Sequence, residues 1–259
     1  MTTFLESPPS SATTLSGRLV AVEDLKLEDR ARMFRLLDRH FDGVSERRFS
    51  LDLENKHWAL LLERLDADQS DATLAGFTTL RFDREVATPL GTVDVLSSGD
   101  TLVAPDAWSS SNLAPAWITA VRSLARDRRL LWLLIVSGWR TYRFLPIFWR
   151  RFAPRWDRRT PDDMLRTLRQ LGRELYGGGF EPATGIVRLA EPQRLRGELA
   201  GIPEARRTNP HVEFFARANP GHGAGDELVC LTEICDDNLT PAGRRMVARG
   251  KVLVDEQRC

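Results

Sequence analysis

The chain has 259 residues, 42% hydrophobic and 28% charged, and 37 Lys+Arg against 36 Asp+Glu give a formal charge of +1. This is the composition of a water-soluble globular protein, long enough for one large domain or two small ones. The longest apolar run, Leu130–Val136, is far short of the ~20 residues of a membrane-spanning helix, and the first residues have neither the basic nor the apolar region of a secretory signal.

Residues 1–16, rich in Ser, Thr and Pro, are expected to form a disordered tail. Residues 17–23 (GRLVAVE) alternate as a half-buried strand does. Helical spacing follows over 26–41, with Leu27, Ala31, Phe34, Leu37 and Phe41 on one face. Ser45 caps a second helix running to about Asn55. Residues 57–65 and 74–82 read as a hairpin across the polar turn DADQSDA. Pro89-Leu90-Gly91 marks another turn, and 92–103 reads as a long strand with a bulge or bend at Ser97-Ser98-Gly99.

The chain's middle is a loop at 105–111, an amphipathic helix at 112–127 and the continuous apolar strand Leu130–Val136, which belongs inside a sheet. Residues 139–152 are aromatic-rich and predicted helical, with Pro146 as a kink. A basic amphipathic helix at 161–176 stops at Gly177-Gly178-Gly179. Beyond it come strands at 185–189 and 227–234 and a short helix at 211–218. The predicted class is α/β, a central mixed β-sheet flanked by helices. A core at 17–156 precedes a C-terminal α+β elaboration, 157–259, that completes the sheet.

Three cysteines, Cys230, Cys235 and Cys259, form no C-x-x-C and no disulfide framework, and are read as reduced structural thiols of a cytoplasmic protein. Four histidines without ligand spacing give no metal site. Charge is uneven: residues 122–173 hold 14 Arg and 4 Asp with no Lys or Glu, a local net of +10. Such a stretch is either a solvated helix surface or a face that meets an anion. It has no helix-turn-helix signature, which argues against nucleic acid.

This order of elements resembles the GCN5-related N-acetyltransferase (GNAT) superfamily over residues 17–152. Leu102-Val103-Ala104-Pro105 resembles the V-x-P end of the superfamily's long fourth strand. The next turn, of form Q/R-x-x-G-x-G/A in the superfamily, is replaced here by Trp108, Ser109, Ser110, Ser111, Asn112 and Leu113. The resemblance implies that Leu102, Val103 and residues 109–113 bind the thioester, coenzyme A phosphates resting on amides at a helix start. The alternative reading of the same serines is an ordinary N-cap. The resemblance also implies that the donor's acyl arm inserts between the fourth and fifth strands. Phe148 falls where members carry an acidic Tyr, which leaves Tyr142 as the available acid, or as a core aromatic.

A base must take the acceptor's proton. Asp94, Ser98 and Asp100 share a strand face with Leu96 and Leu102 if alternation is unbroken. Asp100 is the candidate base, with a turn-satisfied structural carboxylate as its other reading. His57 is the lesser candidate. The resemblance thus implies acyl transfer from an acyl-CoA, or from an acidic acyl-carrier protein docked on the arginines, to a small-molecule amine, with no metal. Two alternatives remain open: a carrier-dependent N-acyl amino acid synthase-like enzyme, and a non-catalytic binding module of the same fold.

Overall fold

The computed structural model describes residues 14–65, 73–107, 113–124, 128–249 and 252–254. The first strand, β1 (Thr14–Ala21), starts before residue 17: Thr14, Leu15 and Ser16, expected in the tail, pair with Leu65, Arg64 and Glu63, and the rest of that segment lies outside the described residues. Helix α1 (Leu27–His40) leads to the two-residue strand β2 (Phe41–Asp42). Next is α2 (Glu46–Glu54), whose cap is the expected one: Ser45 Oγ accepts from Arg48 N at 3.3 Å. Strands β3 (Trp58–Leu65) and β4 (Thr73–Thr88) form the expected hairpin, and β4 runs six residues beyond its predicted end.

Strand β5 (Gly91–Val103) returns along β4, helix α3 (Leu113–Leu124) crosses over, and β6 (Leu130–Val136) lies parallel to β5. The predicted single helix at 139–152 is instead α4 (Trp139–Tyr142), α5 (Phe144–Phe148) and strand β7 (Phe152–Ala153). Pro146 sits inside α5, where so short a helix forfeits little by losing one N–H. Helix α6 (Asp162–Tyr176) precedes three two-residue strands, β8 (Phe180–Glu181), β9 (Ile186–Val187) and β10 (Arg194–Leu195). After α7 (Glu204–Arg207) and α8 (Pro210–Ala218) come β11 (Glu227–Glu233), α9 (Pro241–Arg249) and β12 (Val252–Val254).

The result is one mixed sheet in the order β12-β1-β3-β4-β5-β6-β11-β9-β8, with β7 on β11 and a separate β2–β10 ladder. The C-terminal third does add strands to it. They join both edges, because β12 pairs in parallel with β1, as Gly17 opposite Val252 shows. Six of the seven residues of β6 are buried. Each stabilises by ~1.5–3 kcal/mol against exposure, which explains the absence of alternation in that segment. One sheet face carries α3, α4, α5 and α8 over Leu60, Leu80, Leu96, Trp132 and Leu134. The opposite face carries α1 and α2 over Leu61, Phe77 and Leu102, and α6 over Val95, Leu133 and Val229.

A charge network fastens α1 to this sheet. Asp29 and Glu63 each take both Arg18 and Arg32, with N–O distances of 2.6–3.3 Å. Cys230 is buried on β11 and Cys235 lies partly buried past its end, both as free thiols.

Candidate functional site

Pairing between β5 and β6 runs from Asp94 opposite Leu130 to Ser97 opposite Leu133 and stops. Beyond it β5 continues to Val103 alongside β4, and β6 to Val136 alongside β11. The two parallel strands are therefore unpaired with each other beyond Ser97 and Leu133, and this unpaired stretch forms the slot between them. Trp132 Nε1 donates to Ser98 Oγ at 2.7 Å at the point of divergence, and Trp117 of α3 packs on the Trp132 ring at 4.1 Å between centroids.

The divergence coincides with a β-bulge. Thr78 pairs with Thr101 and Leu80 with Ser98, so Gly99 and Asp100 together face Thr79. An extra residue flips the side-chain alternation, which corrects the expectation that Asp94, Ser98, Asp100, Leu96 and Leu102 share one face. Leu96 lies under α3, whereas Leu102 is buried under α1 and α2. Asp94 is 3% exposed and accepts from Glu85 N at 3.0 Å. Leu102 has its side chain in the core, and Val103 pairs with Gly76.

Asp100 emerges from the bulge toward α2. Burial, and then the negative charge of Asp52, push its carboxyl up to about 6, against the pull of Lys56, Arg48 and a hydrogen bond from Gln193. Glu227, which opens β11 on the far side of the slot, is pushed up to about 8, by burial first and by Asp100 second. Tyr176, the last residue of α6, is raised by burial, then by Glu227 and Asp52. Two hydroxyls on the same sheet face, Thr79 Oγ1 and Ser97 Oγ, are buried without a hydrogen-bond partner among the described residues. Three acidic residues and two unsatisfied hydroxyls thus converge at the mouth of the slot.

Neighbouring segments hold this cluster in place. Lys56 Nζ pairs with Asp52 at 2.8 Å, and its stem lies over Gly99. A Cβ at Gly99 would stand 2.4 Å from both Lys56 Cε and Thr79 Oγ1, so glycine alone lets the lysine lie against the bulge. Residues 191–195 pass over α2 and β2: Arg48 donates to the Glu191 carbonyl, and Arg194 of β10 lies opposite Asp42 of β2 in the backbone ladder. Gly225, at φ +95°, leaves room for Pro192 in that strap, and Gln193 beside it reaches Asp100.

Of the remaining sequence candidates, Tyr142 lies on the opposite face of the sheet from this cluster. Tyr142 is fully buried, and its hydroxyl donates to the Pro154 carbonyl at 3.0 Å between the rings of Phe152 and Phe215. Burial raises its pKa, so this hydroxyl is held as a neutral core group. Tyr142→Phe should cost about 0.5–1.5 kcal/mol of stability, the worth of one hydrogen bond, and leave any turnover unchanged. Denaturant melts with parallel assays check both. His57 is exposed at the start of β3, its Nδ1 accepting from Phe82 N at 2.8 Å. Ser109, Ser110, Ser111 and Asn112 lie outside the described residues, and Leu113 opens α3. Glu227, Tyr176, Ser97 and Thr79 escaped the sequence reading. Glu227 alone left a signal, as the charged first residue of a strand that is otherwise apolar through Leu231.

No family model matches the chain, and no curated protein is similar to it in sequence. Solved structures resemble it at low similarity, two of them as follows. One, from Enterococcus faecalis, is a conserved protein of unknown function described as a probable N-acyltransferase, at 13% identity and TM-score 0.37. The likeness covers 53% of this chain and 33% of that one, so it spans about a third of the Enterococcus protein. The other is Arabidopsis thaliana NAA60 in complex with a bisubstrate analogue, at 14% identity and TM-score 0.36, over 54% of this chain and 86% of that one. Among the described residues no group of His, Cys, Asp and Glu could hold a metal ion, and no helix is long and apolar enough to cross a membrane.

Proposed function

We propose that the protein transfers an acyl group from a thioester to an amine, with the β5–β6 slot receiving the acyl arm and Asp100 serving as base. The observation that carries this reading is the slot itself, two parallel strands that part at a bulge with raised carboxyls at the mouth. An extended acyl arm fits between separated strands as an added strand would, through backbone donors and acceptors. The acceptor enters from the α2 side as an ammonium, drawn by the carboxylates of Asp52 and Asp100.

Asp100, titrating near 6, is ionised at neutral pH and accepts the ammonium proton, while Glu227, near 8, is mostly neutral. The freed amine attacks the thioester carbonyl carbon and the C–S bond breaks. The sulfur leaves as a thiolate, and the second proton, which the nitrogen sheds as the amide forms, passes through solvent to that thiolate. The unpartnered hydroxyls of Ser97 and Thr79 are free to hold polar atoms of the acceptor. The phosphates of an acyl-CoA donor would rest on residues 109–113, ahead of α3. Tyr142 has no part in this scheme, and His57 serves only if Asp100 does not.

Thermal-shift titration with acetyl-CoA, longer acyl-CoAs and free CoA tests the proposal. A ligand at ~100 times its Kd adds about 2.7 kcal/mol to stability, several degrees in a chain of this size. Equal melting temperatures with and without every one of these donors, together with no transfer from an acyl-carrier protein to an amine, would overturn it.

A further inference from the structure

Away from the slot, a second pocket of about 480 Å³ is lined by Arg150, Arg151, Arg155 and Arg158 with Trp149 and His211. It lies beside β7, which pairs with Leu231 and Thr232 of β11. Those residues face Leu133 and Trp132, the half of β6 still paired to β5, so the pocket sits toward the end of β6 opposite the slot.

Its charge is largely uncompensated. Asp157 holds Arg155 through two contacts of 2.5 and 2.7 Å and stands 3.9 Å from Arg158. Arg150 and Arg151 make no ion pair among the described residues, and no carboxylate lines the pocket. Arg155 is fixed a second time, donating to the Arg150 carbonyl at 2.6 Å while its guanidinium lies 4.6 Å from the centroid of Phe152. Such locking removes the entropy that makes an exposed arginine a poor ligand.

Two neutral groups on the pocket wall are also unsatisfied. Trp149 is 1% exposed, and its indole Nε1 has no hydrogen-bond partner among the described residues; His211 Nδ1 is in the same state. An indole N–H can only donate, and a buried donor left unpaired is costly. Burial lowers the His211 pKa, with Arg155 and Arg143 acting in the same direction against the pull of Asp157. At the rim, Trp156 is 49% exposed and edge-on to the His211 ring at 6.2 Å. Forked guanidinium groups beside a buried donor suit the oxygens of a phosphate, and an exposed indole suits a flat ring.

We propose that this pocket binds a phosphate attached to a planar ring system, the chemistry of a nucleoside phosphate. The proposal is independent of acyl transfer and stands if that reading fails. Calorimetry on the full chain with pyrophosphate, glycerol phosphate, AMP and ATP tests it. The nucleotides should bind with Kd around 10–100 μM, and the two ring-free phosphates roughly tenfold more weakly. Arg150→Ser with Arg158→Ser, both at exposed positions, should weaken all four ligands about tenfold or more. Trp149→Phe keeps the ring and removes the donor, with a similar loss. Trp156→Ala should bring the nucleotides down to the affinity of pyrophosphate. Three results each overturn the proposal: no heat from any ligand up to ~10 mM, affinities indifferent to the arginine pair, or arginine-dependent binding of an acidic protein alone.

Discussion

Asp100→Asn should lower turnover by ~10²–10⁴, the usual worth of one acid–base group, while raising the melting temperature at neutral pH. The two effects share one cause. Burial and Asp52 hold the Asp100 carboxyl near 6 instead of the ordinary 3.8. A group whose pKa rises on folding contributes stability that is complete below the unfolded value and lost as pH climbs through the folded one. At pH 7 the ionised Asp100 therefore opposes the fold, and an isosteric amide relieves it. Glu227, shifted from 4.5 to about 8, acts in the same direction over a window that extends higher. The wild type should accordingly gain stability between pH 9 and pH 5 relative to an Asp100→Asn/Glu227→Gln double variant. In kcat/KM the acid limb should lie near 6. Glu227→Gln should leave that limb in place and remove a second transition near 8, because Glu227 is already neutral where Asp100 titrates. Asp100→Asn with full activity and an unmoved acid limb would sink the base assignment and make His57 the next residue to change.

The long periodic or apolar segments were legible in the sequence because local pattern and tertiary role coincide there. Leu130–Val136 is fully apolar and has a neighbour on each side, and Ser45 caps the helix it precedes. The bulge was legible as composition, since Ser97-Ser98-Gly99 interrupts a strand, but its consequence was not. One inserted residue reversed which face Asp100 occupies, and alternation counted along the strand cannot show that. Glu227 and Tyr176 were hidden for a different reason. They reach the site from segments 127 and 76 positions beyond Asp100, and pairing of that range depends on the closed sheet. Tyr142 misled because an aromatic-rich segment looks the same whether its hydroxyl meets a substrate or, as here, the carbonyl of Pro154.

Gly99→Val should cost about 1–3 kcal/mol of stability, as overpacking does, and remove most activity even though glycine carries no chemistry. The first added carbon meets Lys56 Cε and Thr79 Oγ1 at 2.4 Å, below any distance a real Cβ tolerates. Lys56 is the more mobile obstacle, so it is displaced first and its 2.8 Å contact with Asp52 breaks. Asp52 then acts on Asp100 without its neutralising partner, and Lys56 no longer favours the charged carboxylate. Both changes move the acid limb of kcat/KM upward, so the variant should lose proportionally more activity at pH 6 than at pH 8. A purely steric block of the slot would lower activity equally at both. Pairing Gly99→Ala with Lys56→Ala separates the two obstacles. If the lysine is the chief clash, the double variant should regain most of the stability that Gly99→Ala alone loses. Coupling indistinguishable from zero would put the strain at Thr79, a short side chain on a central strand, and the bulge itself would have to move.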